Sequence, residues 1–260
     1  MVILLLGGTT EGRTAARLLS AAGWPVLLSV ATPYGAALAG EDFTGRVVVG
    51  RRDAAALAAL IREQEVRLVV DATHPFATEA RRHSKEAARL CGIPYLRYTR
   101  PIAPLPADPR IVACADFAAA AQEAVARGPV VFLTTGSKTL PFFLAAARAA
   151  GCRVVARVLP EREVIAACRE AGLLPRDIVA LQGPLSVELN VALFSAFGAT
   201  VVVTKESGTV GGQDAKIEAA LNLGIPVVVV RRPPEPPGTV FTVEELLRRV
   251  TEILGRGTNR

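Results

Sequence analysis

Aromatic residues, lysines and cysteines are scarce in this sequence, and each shortage narrows the range of functions. Phe, Trp and Tyr make up 5% of the 260 residues, which counts against single-stranded nucleic-acid binding, because that function stacks bases on aromatic side chains. The four cysteines have no C-x-x-C spacing, so they predict neither a disulfide framework nor a zinc site. No apolar run reaches the roughly 20 residues of a membrane span. We therefore expect a cytoplasmic protein that binds no metal.

The basic residues of the chain are almost all arginine. The net charge is +6, and of 30 basic residues only Lys85, Lys138, Lys205 and Lys216 are lysine. High-GC coding explains this bias, and within it each lysine is informative, because an ammonium group is not interchangeable with a guanidinium fork. Basic residues occur in runs of two at most. The charge therefore favours a small polyanionic ligand over nucleic acid or a membrane surface.

Short apolar runs alternate with alanine-rich segments along the chain. This pattern predicts parallel sheets that are covered by helices on both faces. Pro101, Pro104, Pro106 and Pro109 interrupt it and indicate a crossing between domains. We predict an α/β fold of two Rossmann-like, doubly wound domains, residues 1–100 and 101–260, that face a cleft. The predicted strands are 2–6, 26–30, 47–49, 68–71, 94–97, 111–114, 130–134, 153–158, 178–181, 199–204 and 226–230. The predicted helices are 13–22, 54–65, 78–91, 116–127, 140–150, 163–171, 186–197, 214–223 and a last one with a capping box of Thr242 and Glu245.

A glycine-rich segment, residues 7–12, joins the first strand to the first helix. Glycines there let the backbone approach a pyrophosphate at the helix N-terminus, although a tight turn without a ligand is the alternative. The second predicted strand ends at Val30-Ala31-Thr32 without the acidic residue that holds an NAD ribose. That absence favours NADP, with Ser29 or Thr32 as contacts for the 2′-phosphate.

Polar residues also follow three later strands. Residues 71–77 leave the sheet abruptly because Pro75 restricts His74 to extended backbone, and Asp71 either serves the site or caps the next helix. Thr135-Gly136-Ser137-Lys138 and the loop with Lys205 are candidate nests for phosphate or carboxylate groups. The sequence has no Ser-His-Asp order, metal-ligand cluster or Walker lysine. A nucleotide cofactor that supplies the chemistry fits this pattern.

Taken in order, these loops resemble the precorrin-6A reductase family of cobalamin biosynthesis, including its cobalt-precorrin-6A form. The segments that carry the resemblance span nearly the whole chain and are Gly7-Gly8-Thr9-Thr10-Glu11-Gly12-Arg13, Asp71-Ala72-Thr73-His74-Pro75-Phe76-Ala77, Arg97-Tyr98-Thr99-Arg100-Pro101, Thr134-Thr135-Gly136-Ser137-Lys138 and Thr204-Lys205-Glu206-Ser207-Gly208. The resemblance implies hydride transfer from NADPH to a ring C=C bond of a corrin precursor, with a proton delivered to the neighbouring carbon. It also implies a tetrapyrrole polycarboxylate substrate and neighbouring enzymes of corrin synthesis as partners.

The resemblance gives each candidate residue an expected role. Substrate carboxylates are expected to meet Arg13, Arg97, Lys205 and Ser207. Catalysis is expected to involve Lys205, His74 and Ser207, and the proton donor is left open among His74, Lys205 and water. The residues expected to bind the cofactor are Gly7, Gly8, Thr9, Thr10, Glu11, Thr32, Asp71, Thr73, Thr135 and Gly136.

Two alternatives belong to other functional classes. A non-catalytic NAD(P)-binding sensor explains the first glycine loop but gives the Lys205 loop no task. A nucleotide-sugar transferase also has two α/β domains, and it requires affinity for a UDP- or GDP-sugar. Binding of NADPH without its oxidation would identify the sensor.

Overall fold

The structure is a computed structural model that describes residues 1–208 and 211–255. The chain forms two compact units and passes between them twice. Unit 1 contains Met1–Pro101 and the segment that begins at Pro233, and unit 2 contains Ile102–Arg232. The sequence-based division placed that last segment in the second domain, so the structure differs from the prediction at this point.

Unit 1 is built on a five-stranded sheet in which all strands are parallel. The strands are β1 (Val2–Leu6), β2 (Val26–Val30), β3 (Arg46–Val49), β4 (Val66–Asp71) and β5 (Tyr95–Arg97). Their order is β3-β2-β1-β4-β5. The chain therefore winds outward from β1 on one side and then returns to its other side at β4.

Helices cover both faces of the unit 1 sheet. They are α1 (Thr10–Ala21), α2 (Pro33–Gly40), α3 (Ala54–Glu63) and α4 (Thr78–Leu90). Side chains that follow one another on a strand point to opposite faces. Accordingly, Ile3 of β1 shares a buried cluster with Leu19 of α1, and Leu4 shares the other cluster with Leu57 of α3.

Unit 2 is built on a six-stranded sheet that is also parallel throughout. Its strands are β6 (Ile111–Cys114), β7 (Val130–Leu133), β8 (Arg153–Val158), β9 (Ile178–Ala180), β10 (Val201–Lys205) and β11 (Val227–Val230). The order β6-β11-β10-β7-β8-β9 again reverses direction, here between β7 and β10.

The helices of unit 2 are α5 (Phe117–Arg127), α6 (Leu140–Ala150), α7 (Arg162–Glu170), α8 (Val187–Ala196) and α9 (Gln213–Asn222). One face of the sheet is covered by α8 and α9, because Phe194 and Ile217 share a buried cluster with Val155 and Val202. The parallel sheets with helices confirm the predicted α/β class and its doubly wound form.

The C-terminal helix, α10 (Val243–Gly255), packs on unit 1. The predicted cap is present, since Thr242 Oγ1 accepts the Glu245 N–H at 3.2 Å, although the Glu245 carboxylate accepts the N–H of Phe241 instead of that of Thr242. Leu246 and Val250 join the α1 face of the core. An amphipathic stripe predicts a helix but does not identify the sheet that receives it, which explains the misplaced segment.

Two further differences concern the first half of unit 1. Helix α1 begins at Thr10 and not near Arg13, because the Thr9 side chain caps it. Residues 10–12 therefore form its first turn, and the glycine loop is shorter than predicted. Helix α2 was not predicted, although Thr32 caps it and Pro33 stands at its first position, which is a recognised start signal.

Within residues 1–208 and 211–255, no helix combines the length and apolar composition that crossing a bilayer requires. The same part of the chain contains no group of three or more His, Cys, Asp or Glu side chains arranged to hold a metal ion.

Candidate functional site

In each unit the sheet topology marks one crevice at the carboxyl ends of the strands. Ligands of doubly wound sheets bind where the winding reverses direction. In unit 1 this point lies between β1 and β4, and in unit 2 it lies between β7 and β10. The predicted polar loops follow these four strands.

The loop after β1 depends on the small size of two glycines. A Cβ atom at Gly7 would lie 2.9 Å from the Ala72 carbonyl oxygen, and one at Gly12 would lie 3.1 Å from the Gly7 Cα. Both contacts are with backbone, so neither can relax easily. Gly8, by contrast, is exposed, and a Cβ atom there would meet nothing within 4 Å. The loop therefore packs tightly at Gly7 and Gly12, whereas the backbone at Gly8 faces open space.

Thr9 holds this loop in place. Its hydroxyl accepts the Gly12 N–H at 3.0 Å and donates to the Ala72 carbonyl at 3.2 Å. Thr10 is the first helical residue and is exposed. Arg13 reaches back to the Gly8 carbonyl at 3.4 Å. The N-terminus of α1 is therefore available to an anionic group above the loop.

Glu11 lies beside a recess at the switch point of unit 1. Its carboxylate accepts a hydrogen bond from Arg100, and both side chains are largely buried. The sequence analysis assigned no role to Arg100, although it stands in the quoted segment 97–101. The recess is lined by Thr9, Glu11, Ala72, Thr73, Pro75, Tyr98, Thr99 and Arg100.

Asp71, the last residue of β4, fixes the loop that follows it through hydrogen bonds to Thr73. Its Oδ1 accepts the N–H of Thr73 at 2.9 Å and the Thr73 hydroxyl at 2.7 Å. It does not cap α4, whose preceding residue is Ala77 and makes no side-chain cap. His74 Nδ1 accepts the Phe76 N–H at 3.2 Å, so in neutral His74 the proton is on Nε2. The loop thus carries one oriented imidazole donor.

Arg97 is fully buried in a network of charges within unit 1. Its Nη1 contacts Asp71 Oδ1 at 3.1 Å, and its Nε contacts Glu235 Oε2 at 3.0 Å. Arg81 adds a second contact to Glu235 at 3.4 Å, and the Tyr95 hydroxyl donates to Asp71 at 2.6 Å. Burial and the Asp71 carboxylate raise the pKa of Tyr95. Asp71 was expected to bind the cofactor and Arg97 to bind substrate carboxylates. Both instead have partners within the protein that the sequence did not predict.

The ends of β2 and β3 lie side by side, since Val30 pairs with Val49. Thr32 uses its hydroxyl to accept the Gly35 N–H at 3.0 Å and caps α2. Arg52 donates to the carbonyls of Gly50 and Val49 at 3.1 and 3.2 Å and closes the end of β3. Arg52 was not among the residues predicted from the sequence, although the basic pair Arg51-Arg52 closely follows the strand next to β2.

In unit 2, the turn after β7 is closed by its own side chains. Thr135 and Thr139 share a hydrogen bond of 2.7 Å between their hydroxyls, and Thr139 contacts the Gly136 carbonyl at 3.1 Å. Gly136 has a φ angle of +83°, which favours glycine. The short helical turn Ser137–Thr139 then presents Lys138 at the surface.

Lys205 ends β10 at the other side of this switch point. Burial, with the Lys138 charge as a smaller cause, lowers the pKa of Lys205 to about 8. Two residues further along, Ser207 is 5% exposed, and its hydroxyl has no partner among the described residues. The structure therefore places the charge of Lys138 near Lys205, a pairing that the sequence did not predict, and two cations at one switch point favour an arriving anion.

Comparison with known proteins connects these features to one family. Residues 2–251 match the family described as Precorrin-6x reductase CbiJ/CobK. The chain belongs to this reductase family. It is 38% identical over 248 residues to the cobalt-precorrin-6A reductase of Priestia megaterium, which covers 95% of this chain and 96% of that protein. It is 40% identical over 233 residues to the Salmonella typhimurium enzyme of the same name, covering 89% and 87%.

A solved structure of the family gives the same fold. The chain superposes on CobK precorrin-6A reductase with a TM-score of 0.75 and 27% identity, over 96% of each chain. Membership of this reductase family implies a nicotinamide cofactor and a corrin precursor as substrate. The open backbone at Gly8 and the N-terminus of α1 fit the pyrophosphate of such a cofactor.

Two alanine variants of this reductase separate packing from cofactor binding. Gly7→Ala is expected to cost about 1–3 kcal/mol of stability, because the new methyl group presses on the Ala72 carbonyl. Gly8→Ala is expected to leave stability within about 0.5 kcal/mol and to weaken nicotinamide cofactor binding by about tenfold or more. Urea unfolding and cofactor fluorescence titration measure the two effects. Wild-type affinity in Gly8→Ala would show that this backbone does not approach the cofactor.

Proposed function

We propose that the chain catalyses the NADPH-dependent reduction of precorrin-6A, with or without cobalt, to the corresponding precorrin-6B in cobalamin biosynthesis. The observation that carries this proposal is the nearly complete coverage of the P. megaterium cobalt-precorrin-6A reductase at 38% identity. The loops at both switch points support it, because one presents helix N–H groups and the other presents the largely buried ammonium of Lys205.

The cofactor is assigned to the switch point of unit 1. Gly8, Thr9 and Thr10 place backbone N–H groups and the positive end of α1 against the pyrophosphate, whereas Gly7 donates its N–H to the Ser29 carbonyl at 3.1 Å and lets the loop pack closely. When bound, the cofactor supplies the hydride. Asp71 acts indirectly by fixing Thr73, which lies with Glu11 in the recess.

NADPH is preferred over NADH for an electrostatic reason. Strand β2 ends without a carboxylate, and Arg52 follows the end of the neighbouring β3, where its guanidinium contacts the carbonyls of Val49 and Gly50. A guanidinium at this position favours a 2′-phosphate, whereas a carboxylate would favour a ribose hydroxyl. We therefore assign Thr32 and Arg52 to the 2′-phosphate.

The substrate carboxylates are assigned to Lys205, Ser207 and Arg13. The buried ammonium of Lys205 lacks the solvation it would have in water, so a carboxylate gains more from it than from an exposed lysine. Arg97 is now assigned a structural role, because Asp71 and Glu235 neutralise its charge through contacts to Nη1 and Nε and the side chain is fully buried. Thr135 and Gly136 shape the turn beside Lys205.

Reduction of a C=C bond also requires a proton at the second carbon. Two groups in the assigned set can donate one, His74 through Nε2–H and Lys205 through its ammonium. Both are retained as candidates, and the variants of Lys205 described in the Discussion distinguish them.

The proposal is tested by titrating the purified protein with NADPH and with NADH, and then adding the tetrapyrrole without air. We expect NADPH to bind at least about tenfold more tightly, or 1.4 kcal/mol. We also expect its near-ultraviolet absorbance to fall only when precorrin-6A or its cobalt form is present. Tight NADPH binding without oxidation by either substrate would contradict the reductase assignment, and equal affinity for NADH would contradict the assignment of Arg52.

A further inference from the structure

Arg157 is a buried arginine to which the proposed function gives no role. It stands one residue before the end of β8, opposite Val179 of β9, and is 9% exposed. Arginine is almost never buried to this degree without a partner. Its guanidinium nevertheless forms no hydrogen bond and no ion pair with any described residue, and Nη1 is shielded from solvent.

The surroundings of Arg157 contain no described charge that compensates its own. Burial alone lowers the pKa of Arg157, and no carboxylate opposes that shift. A guanidinium remains protonated at neutral pH despite such a shift. Among residues 1–208 and 211–255 this buried positive charge therefore has no counter-charge, which is costly unless an anion arrives to pair with it.

Arg157 lies beside the loop that leads into α8. Alternate residues of a strand share a face, so Arg157 lies on the same face as Val155, which α8 and α9 cover. A Cβ atom at Gly183 would lie only 3.3 Å from Arg157 Nη2, so glycine at this position makes room for the guanidinium. Gly183 stands shortly before Ser186, the residue that caps α8.

A second buried polar group on this face also lacks a partner. Thr204 of β10 follows Val202 by two residues and therefore points to the same face as Arg157. It is fully buried, and its hydroxyl has no partner among the described residues. Strands β8 and β10 both flank β7, so the two residues lie about 10 Å apart across the sheet.

We propose that Arg157 binds an oxyanion of one of the two reactants, either a substrate carboxylate or a cofactor phosphate, at the end of β8 and beside the N-terminus of α8. The planar fork of arginine binds either group through two parallel hydrogen bonds. The identity of the two reactants rests on the proposed function, whereas oxyanion binding by Arg157 does not.

The test compares wild type with Arg157→Met and Arg157→Lys. Methionine keeps the length and packing of the stem but removes the charge, and lysine keeps the charge but not the fork. Arg176→Met is the matched control, because Arg176 is exposed at the opposite end of the sheet, before β9. Each protein is titrated with NADPH, assayed for the KM and kcat of cobalt-precorrin-6A reduction, and melted with and without inorganic phosphate.

We expect Arg157→Met either to bind NADPH at least tenfold more weakly or to have a KM for the tetrapyrrole at least tenfold higher. Its kcat should stay within threefold of the wild-type value. A raised KM with unchanged NADPH affinity identifies the substrate carboxylate, and weakened NADPH binding identifies the cofactor phosphate. If wild type were inactive and the proposed function failed, loss of the phosphate-induced rise in melting temperature in Arg157→Met would still support the oxyanion site. Should Arg157→Met not fold, Arg157→Lys serves in its place. Wild-type values in all three measurements would overturn the inference.

Discussion

Replacement of Lys205 by methionine is expected to lower kcat/KM for the tetrapyrrole by about 10- to 100-fold, the value of a charge-assisted hydrogen bond of 1.5–3 kcal/mol. The ammonium group ends β10 at the switch point of unit 2 and is largely buried. Methionine removes the charge and keeps most of the stem. Steady-state kinetics with saturating NADPH measure the effect, and Lys85→Met, on the exposed side of α4, is the control. A decrease in kcat/KM of less than about tenfold would contradict the assignment of Lys205 to the substrate site.

The pH profile of the wild type provides an independent check on Lys205. Because burial lowers the pKa of Lys205 to about 8, its positive charge is lost as the pH rises through 8. Substrate carboxylates are ionised throughout this range. We therefore expect kcat/KM, which reports the free enzyme, to fall above pH 8. This alkaline decrease should be absent in Lys205→Met.

Arginine at position 205 distinguishes a carboxylate contact from proton donation. A guanidinium stays charged at every accessible pH but is a poor proton donor. If Lys205 binds a carboxylate, Lys205→Arg retains most activity and loses the alkaline decrease. If Lys205 delivers the proton, Lys205→Arg is as impaired as Lys205→Met. That result would contradict a role for Lys205 in substrate binding alone.

Stability should change in the opposite direction from activity. In the folded protein Lys205 releases its proton near pH 8, and in the unfolded chain it does so near the ordinary value of 10.5. Between these values the unfolded state holds more protons, so this group makes stability rise with pH from 8 to about 10.5. Below pH 8 the buried charge is unfavourable. Lys205→Met should therefore be at least as stable as wild type at pH 7, which separates lost activity from misfolding.

Most of the fold could be predicted because buried parallel strands can be recognised in a sequence as short apolar runs. The bounds of β1, β2, β6 and β8 equal the predicted ones, since each run is flanked by turn residues. Helix α2 escaped prediction because Gly35 and Gly40 lower its helix propensity, and only its start signal, Thr32 with Pro33, was present. The C-terminal helix was predicted, but its sheet was not, because an apolar stripe fits any apolar surface.

The site was predictable in part for a similar reason. Parallel strands place their carboxyl ends at one edge, so polar residues that directly follow strands identify candidate loops. Contacts between distant residues leave no such pattern. Arg97 and Glu235 are separated by 138 positions, and nothing local to either residue predicts their pairing. Arg157 gave a weak signal, since it is a charged residue within an otherwise apolar strand.

The pairing of Arg97 leads to the largest expected effect on stability. Arg97→Met should lower the free energy of unfolding by about 3–5 kcal/mol, because it leaves buried carboxylates without their counter-charge. Asp71 is fully buried and would lose its only ion pair among the described residues, whereas Glu235 would keep the longer one to Arg81. Urea unfolding at pH 7 measures the change.

An exposed ion pair provides the matched control for Arg97. Arg89 contacts Glu86 at 2.7 Å, closer than either ion pair of Arg97, but its side chain is 70% exposed. Water screens that pair, so Arg89→Met should lower the free energy of unfolding far less than Arg97→Met. The comparison tests burial as the cause, because the shorter contact is expected to matter less. Equal losses in the two variants would mean that the charges around Asp71 are solvated. In that case Arg97 would again be available to a substrate carboxylate, as the sequence alone suggested.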